Sequence, residues 1–161
     1  YTREDEPEDY ELVLRLHAQG YRFGKVPETL LEWTDRPGRA SRTRQTYGLE
    51  RFRALKARYL RQTGALECGF YLWGAGSVGK KLLLALQAEG LNPAALVDID
   101  PDRIGQTIHG CRVISPDELL SLRSPGETVL GAVGAPGARE DIRGFLSGAG
   151  LREPEDFFFA A

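Results

Sequence analysis

Apolar residues recur at three- and four-residue intervals over the first sixty positions and then, from residue 69, gather into short unbroken runs, so the chain predicts helices first and buried strands afterwards. Asp5-x-x-Glu8 reads as a capping box with Pro7 in the first turn. It opens a helix that runs through Tyr10-Glu11-Leu12-Val13-Leu14-Arg15-Leu16 and stops at Gly20. Tyr21, Phe23 and Val26 form an extended stretch, and Pro27 starts a turn into Thr29-Leu30-Leu31-Glu32-Trp33, which reads as a strand. The Pro37-Gly38 pair makes residues 35–41 a loop. A second helix is predicted over Thr46–Gln62, with Leu49, Phe52, Leu55 and Tyr59 on one face and arginines on the other.

Beyond Gly64 and Gly69 the pattern becomes strand, glycine turn, helix, strand. Phe70-Tyr71-Leu72-Trp73 is apolar without alternation, as expected of a strand covered on both faces of a parallel sheet. A helix over Val78–Glu89 ends at Gly90, and further strands are predicted at Ala94–Val97, Arg112–Ile114, Thr128–Val133 and Asp156–Ala160. Between them Ser115-Pro116-Asp117-Glu118 caps one helix and Arg139–Ser147 forms another. The fold class expected is therefore α/β and Rossmann-like: a mostly parallel sheet of about five strands with helices on both faces, preceded by a mainly helical segment. Three parts follow: residues 1–61, a linker over 62–68, and the α/β domain over 69–161.

Composition agrees with a folded chain, at 42% hydrophobic and 27% charged residues. No run approaches the roughly 20 apolar residues that span a bilayer, and the opening Tyr1-Thr2-Arg3-Glu4-Asp5 lacks a signal-peptide pattern. A cytoplasmic protein is expected, at most peripheral to the inner membrane. The net charge of −2 hides an asymmetry: residues 1–61 carry 13 Lys/Arg against 10 Asp/Glu, the remainder 8 against 13. Residues 36–61 hold Arg36, Arg39, Arg42, Arg44, Arg51, Arg53, Lys56, Arg58 and Arg61 against Glu50 alone. Such a stretch could meet phosphates or an anionic membrane surface, but a solvated helix face is the favoured reading, since arginines on an exposed helix need no partner. No nucleic-acid partner is expected, because no recognition motif accompanies the arginines. Cys68 and Cys111 show no metal-ligand spacing and read as reduced structural thiols.

The chemistry concentrates in Gly74-Ala75-Gly76-Ser77-Val78-Gly79, which lies between a predicted strand and a predicted helix. The first glycine permits the tight turn, the second lets backbone approach a pyrophosphate, and the third lets helix and strand pack closely. The helix start adds N–H groups and a positive dipole end. Asp98 lies 19 residues past Gly79 at the end of the next strand, where a carboxylate accepts from ribose hydroxyls. Gly74, Gly76, Ser77, Val78, Gly79, Asp98, Asp100 and Gly134 are the expected ligand-binding residues, with Gly134 in a turn forming the far wall of a crevice at the carboxyl edge of the sheet. The alternative is that these glycines only shape turns. Gly74-x4-Gly79-Lys80 approaches a phosphate loop of triphosphatases, but Lys81 stands where Ser or Thr must hold magnesium. Asp98-Ile99-Asp100 matches a metal-binding Asp-x-Asp, yet its place at a strand end favours ribose contact or a turn, and no metal site is expected. His17, His109 and the Tyr21-x-x-x-Lys25 spacing assemble no acid–base set.

Two resemblances follow from these residues. Trp73-Gly74-Ala75-Gly76-Ser77-Val78-Gly79, Val97-Asp98-Ile99-Asp100-Pro101 and Ile104–Ile114 resemble the N-terminal Rossmann domain of PglD-type sugar acyltransferases, which implies a nucleotide-sugar or cofactor binder. Pro7-Glu8-Asp9-Tyr10-Glu11-Leu12, Gly20-Tyr21-Arg22-Phe23 and Val26-Pro27-Glu28-Thr29 resemble the C-terminal part of inverting family 2 glycosyltransferases. That resemblance implies a catalytic Glu8-Asp9 pair, with Asp9 as the base that deprotonates the acceptor hydroxyl. Helix capping is the other reading of the same pair. The upstream donor-binding half has no counterpart in this sequence, so a glycosyltransferase fragment is expected, inactive alone and partnered by that missing half. Its Rossmann domain is expected to take NAD or a nucleotide-sugar as cofactor, with self-association left open. A non-catalytic regulatory or interaction module, or an NAD-dependent sugar-nucleotide enzyme, is the alternative.

Overall fold

Strand β1 (Phe70–Trp73) is apolar at every position and buried at every position, which requires cover on both faces of its sheet. The computed structural model describes residues 6–32 and 48–160. Within them the chain divides into two units, Tyr1–Thr63 and Gly64–Ala161.

In the second unit β1 is followed by α3 (Ser77–Ala88), β2 (Leu96–Val97), β3 (Thr107–Ile108), β4 (Cys111–Ile114), α4 (Pro116–Leu122), β5 (Thr128–Gly131), α5 (Ala138–Gly148) and β6 (Phe157–Phe159). The strands form one sheet in the order β3-β4-β2-β1-β5-β6. All neighbours are parallel except β3 with β4, a tight hairpin turned by His109 and Gly110, both at positive φ. Beside β1 the chain first moves outward to β2 and β4, then returns on the other side as β5. The crevice left where the order reverses is where open α/β sheets place ligands.

Alternation along the strands supplies two cores. Tyr71, Trp73, Val97, Ile114, Val129 and Phe157 cluster on one face with Leu119 of α4 and Ile142 and Leu146 of α5. Phe70, Leu72, Leu96 and Leu130, all essentially inaccessible, alternate with them onto the other face, where α3 packs against β1. Each such side chain contributes about 1.5–3 kcal/mol by leaving water. At Gly131 a side chain would meet the Phe159 ring, so this strand glycine is what lets β6 dock against β5.

The α/β class stands as expected from sequence, with six strands rather than about five. The extra strand is β3. Helix α4 begins as its sequence predicts: Ser115 Oγ accepts the Glu118 N–H at 3.1 Å, and Pro116 takes the first turn.

In the first unit α1 (Glu8–Ala18) and α2 (Leu49–Gln62) pack together. Tyr10 packs against Phe52 at a tilt of 54° with ring centroids 5.1 Å apart, and Tyr59 Oη donates to Glu11 Oε1 at 2.8 Å. Arg58 donates through both Nη atoms to Glu6, at 2.6 and 2.9 Å.

Several expectations are corrected here. Pro7 is the N-cap of α1 rather than a first-turn residue, and it offers no capping side chain; Asp5, the expected capping residue, lies outside the described residues. Residues 29–32 form no strand: Leu30 and Leu31 are 73% and 71% exposed, with no partner strand in the described residues, and Trp33 lies outside them. Thr46, the 35–41 loop and Arg36, Arg39, Arg42 and Arg44 also lie outside. Leu49, assigned to the packed face of α2, is 69% exposed, because it sits at the very first turn. Arg58, read with the solvated arginine face, turns inward to the buried Glu6.

Candidate functional site

A crevice of about 290 Å³ opens at the carboxyl edge of the sheet. Its walls come from five segments: Trp73 and Gly74 at the end of β1, Asp98 and Ile99 after β2, Pro116 at the start of α4, Val133 after β5, and Ala138, Asp141, Ile142 and Phe145 of α5. Trp73 meets Phe145 edge-on with centroids 5.5 Å apart, which makes the floor aromatic. Ile99, 76% exposed at the rim, and Val133 extend the apolar lining outward. Asp98 and Asp141 are the charged side chains of the lining, and both are acidic.

Gly74, where the crevice reaches the glycine loop, has φ +128°, and a side chain there would collide with the Ala132 carbonyl. A methyl on Gly79 would collide with the carbonyl of Gly74 itself. These two glycines close the turn and seat α3 on it. Gly76 differs. Its φ of −79° suits any residue, and a Cβ built on it would find only Arg103 Nη1, 3.8 Å away. The space a side chain would fill is left clear beside the backbone.

Gly76 is the N-cap of α3 and offers no capping side chain. The N–H groups of Ser77, Val78 and Gly79 therefore start the helix without an acceptor among the described residues, while Lys80 N–H already bonds to the Gly76 carbonyl. Unpaired amides and the positive end of the helix dipole thus face the clear space beside an exposed Ser77.

Asp98 is buried and tied down by three donors. Ala75 N–H donates to Oδ2 at 2.8 Å, Asp100 N–H to Oδ1 at 3.0 Å, and Arg103 Nη1 to Oδ2 at 3.2 Å. A carboxylate offers about four lone-pair sites, so about one remains for a ribose hydroxyl. Asp100 continues the chain of turns: its Oδ1 accepts the Asp102 N–H at 3.0 Å and its Oδ2 pairs with Arg103 Nε at 3.3 Å. Asp100 does not line the crevice.

The remaining expected residues separate from this group. Gly134 lies beside Val78, whose Cγ2 would stand 2.8 Å from an added Cβ, so it joins the β5 loop to the start of α3 rather than lining the crevice. Glu8 is half-buried and Asp9 exposed on the first turn of α1 in the other unit. The buried carboxylates there are Glu6 and Glu11. Among the described residues no group of His, Cys, Asp and Glu has the arrangement of a metal site. Cys111 is buried, which raises its thiol pKa, and Cys68 is exposed. Sequence reasoning missed Arg103 and Asp141. Arg103 left one signal, a charge three residues after Asp100 in an acidic turn; Asp141 left none, since it reaches the crevice only by tertiary packing.

No protein-family model matches the chain, and no curated protein does. Among solved structures it is similar to RSP, a Rex-family repressor, at 18% identity and a TM-score of 0.42, over 65% of this chain and 59% of that one. It is likewise similar to RSP in complex with β-NADH (18% identity, TM-score 0.41, 65% and 60%). RSP in complex with β-NAD+ and operator DNA gives 18% identity and a TM-score of 0.42, over 65% and 57%. The matched region is thus less than two thirds of those chains. One expectation is corrected here: nucleic acid was set aside as a partner, whereas RSP is held on operator DNA in the third of these structures, and the exclusion is withdrawn. Among the described residues no helix is long and apolar enough to cross a membrane.

Proposed function

We propose that residues 64–161 bind the adenosine diphosphate part of a dinucleotide, with NAD as the ligand expected. One observation carries this: the apolar crevice begins at Gly74 and Asp98, so a base pocket, a ribose acceptor and a clear phosphate cradle are contiguous. The diphosphate lies over Gly76 against the amides of Ser77 and Val78, where charge-assisted hydrogen bonds replace water. Asp98 takes a ribose hydroxyl with its remaining lone pair. The adenine lies between Ile99 and Val133, toward Trp73 and Phe145, in a pocket whose size and apolar lining suit a flat heteroaromatic ring.

A Rossmann domain that only scaffolds has no use for a cleared Gly76 beside an open crevice, and this favours binding over the purely structural reading. The glycosyltransferase context of residues 1–61 is a separate proposal. Its support is the Glu8-Asp9 motif together with the exposure of Asp9, which leaves that carboxylate accessible to an acceptor hydroxyl.

Trp73 lines the crevice, so its fluorescence reports occupancy, with calorimetry as the independent measure. ADP-ribose and NAD+ are expected to saturate both signals, and a uridine diphosphate sugar to do so at much higher concentration or not at all. Failure of every adenine nucleotide to bind at millimolar concentration overturns the proposal.

A further inference from the structure

The part of the Asp-rich turn that reaches the glycine loop is a guanidinium. Two successive turns built on side chains, Asp98 Oδ1 to Asp100 N–H and Asp100 Oδ1 to Asp102 N–H, fold residues 98–103 back on themselves. Arg103 N–H and Ile104 N–H both donate to the Asp100 carbonyl, at 3.0 and 3.2 Å, closing the fold. The Arg103 side chain then returns across the turn. Its Nε and Nη1 are held by Asp100 and Asp98, and Nη1 is the one atom within 4 Å of where a Gly76 Cβ would stand.

We infer that Arg103 is the cation that binds the diphosphate over the glycine loop and so sets the site's preference for diphosphate over uncharged nucleoside. The inference rests on the binding mode proposed above. Three observations carry it. The guanidinium end borders the space that Gly76 keeps clear, which is the space a loop-bound phosphate enters. Arg103 spends only two of its three nitrogens on carboxylates, and Nη2 has no partner among the described residues, so one edge of a planar five-donor fork is available. Finally, the side chain is 41% exposed, while its two carboxylate partners fix its direction, so it is both accessible and oriented before a ligand arrives. The amides of Ser77 and Val78 approach the phosphates from the helix start, and Arg103 approaches from the Asp-rich turn. The ion pairs with Asp98 and Asp100 also keep a lone cation from attracting any passing anion.

The test is calorimetric titration of the whole chain with two probes, adenosine and ADP, at low and at physiological ionic strength, for wild type, Arg103→Gln and Arg103→Lys. Thermal melts check that each variant is folded. Wild type is expected to prefer ADP. Arg103→Gln should weaken ADP by about 10- to 100-fold, the scale of a charge-assisted hydrogen bond, while adenosine changes by less than about twofold. The salt dependence of ADP binding should fall with it, and Lys should restore part of the loss.

Equal weakening of adenosine and ADP in Arg103→Gln overturns the inference, since Arg103 would then act only by positioning Asp98. Tighter ADP binding also overturns it, because the guanidinium would then be a plug. Unchanged ADP affinity in that variant removes this inference and leaves the proposed binding mode standing. If wild type binds neither probe, nor ADP-ribose, both fall together.

Discussion

Replacing Gly76 by valine should abolish nucleotide binding in a protein that remains folded. The backbone there has φ −79° and ψ −171°, an extended conformation open to any residue, and the nearest atom to an added Cβ is the flexible end of Arg103 at 3.8 Å. Valine at an N-cap loses about 0.5–1.5 kcal/mol relative to glycine, because it neither caps nor frees the first amides for water. It regains about 0.4–1 kcal/mol by restricting the unfolded chain. The two nearly cancel. For a unit of about a hundred residues the melting temperature should move by no more than about 4–8 °C. Binding responds differently, since phosphate oxygens must come within about 2.7–3.0 Å of the loop amides and valine's methyl groups occupy that approach. Losing even two charge-assisted hydrogen bonds, each about 1.5–3 kcal/mol, weakens ADP-ribose at least 10²-fold. Gly79→Ala is the contrasting control: its methyl collides with the Gly74 carbonyl, so about 2–4 kcal/mol of stability should disappear in urea unfolding. Calorimetry with ADP-ribose on the folded valine variant decides the matter. Undiminished affinity would refute the assignment of Gly76 to phosphate approach.

Three further outcomes are expected. Asp98→Ala leaves the buried Ala75 N–H without its acceptor and should cost about 1–3 kcal/mol by urea denaturation, along with ribose affinity; an unchanged midpoint would show that water replaces the carboxylate. Acid should destabilise the second unit. The backbone N–H of Arg152, and then the Arg123 guanidinium, hold the Asp156 carboxyl below its ordinary 3.8, and Arg143 likewise holds Glu153 below 4.5. Both groups have folded values under their unfolded ones, so their contribution is complete above about pH 4.5 and is lost as pH falls through the lowered values. Urea melts at pH 7 and pH 3 should differ less in Asp156→Asn than in wild type, and parallel losses would reject the linkage. Arg58→Ala removes a bidentate pair to the buried Glu6 and should lower stability by about 1–2 kcal/mol, whereas a solvated arginine would give no change.

How far the sequence reading reached depends on the range of each interaction. Phe70–Trp73 could be placed as a covered strand because burial on both faces writes itself into consecutive residues, and the helix at Pro116 because its Ser115 cap is a four-residue signal. Strand β3 has two residues, too few for any period to show, and its pairing with β4 depends on His109 and Gly110 adopting positive φ. Leu30 and Leu31 have the composition of a strand, but composition cannot supply a neighbour to pair with. Within the site, Gly74, Gly76, Gly79 and Asp98 were legible through their spacing. The spacing could not say that two of those glycines serve the turn and one leaves space, a distinction that rests on where the Gly74 and Ala132 carbonyls point. Arg103 required two successive turns to reach the loop, and the α5 wall required a contact, Trp73 with Phe145, across some seventy residues of chain.

The distribution of charge over the site gives a bound nucleotide a direction. The crevice is lined by apolar side chains with carboxylates at Asp98 and Asp141, while the unpaired amides of α3 and the Arg103 guanidinium gather at Gly76. An anionic group placed in the crevice would be repelled by the carboxylates of Asp98 and Asp141, only modestly because Asp98 is paired with Arg103 and Asp141 is open to solvent. A neutral ring with donor groups meets no such repulsion, and ribose hydroxyls can donate to a carboxylate. On the proposed binding mode the phosphates then lie at the loop and the base in the crevice, with Asp98 between them at the junction. The part of a dinucleotide beyond the diphosphate consequently leaves across Gly76, away from the crevice. Its identity would be selected by groups outside the pocket rather than by Trp73, Ile142 and Phe145, which is why ADP and ADP-ribose should bind here with affinities close to that of the complete dinucleotide.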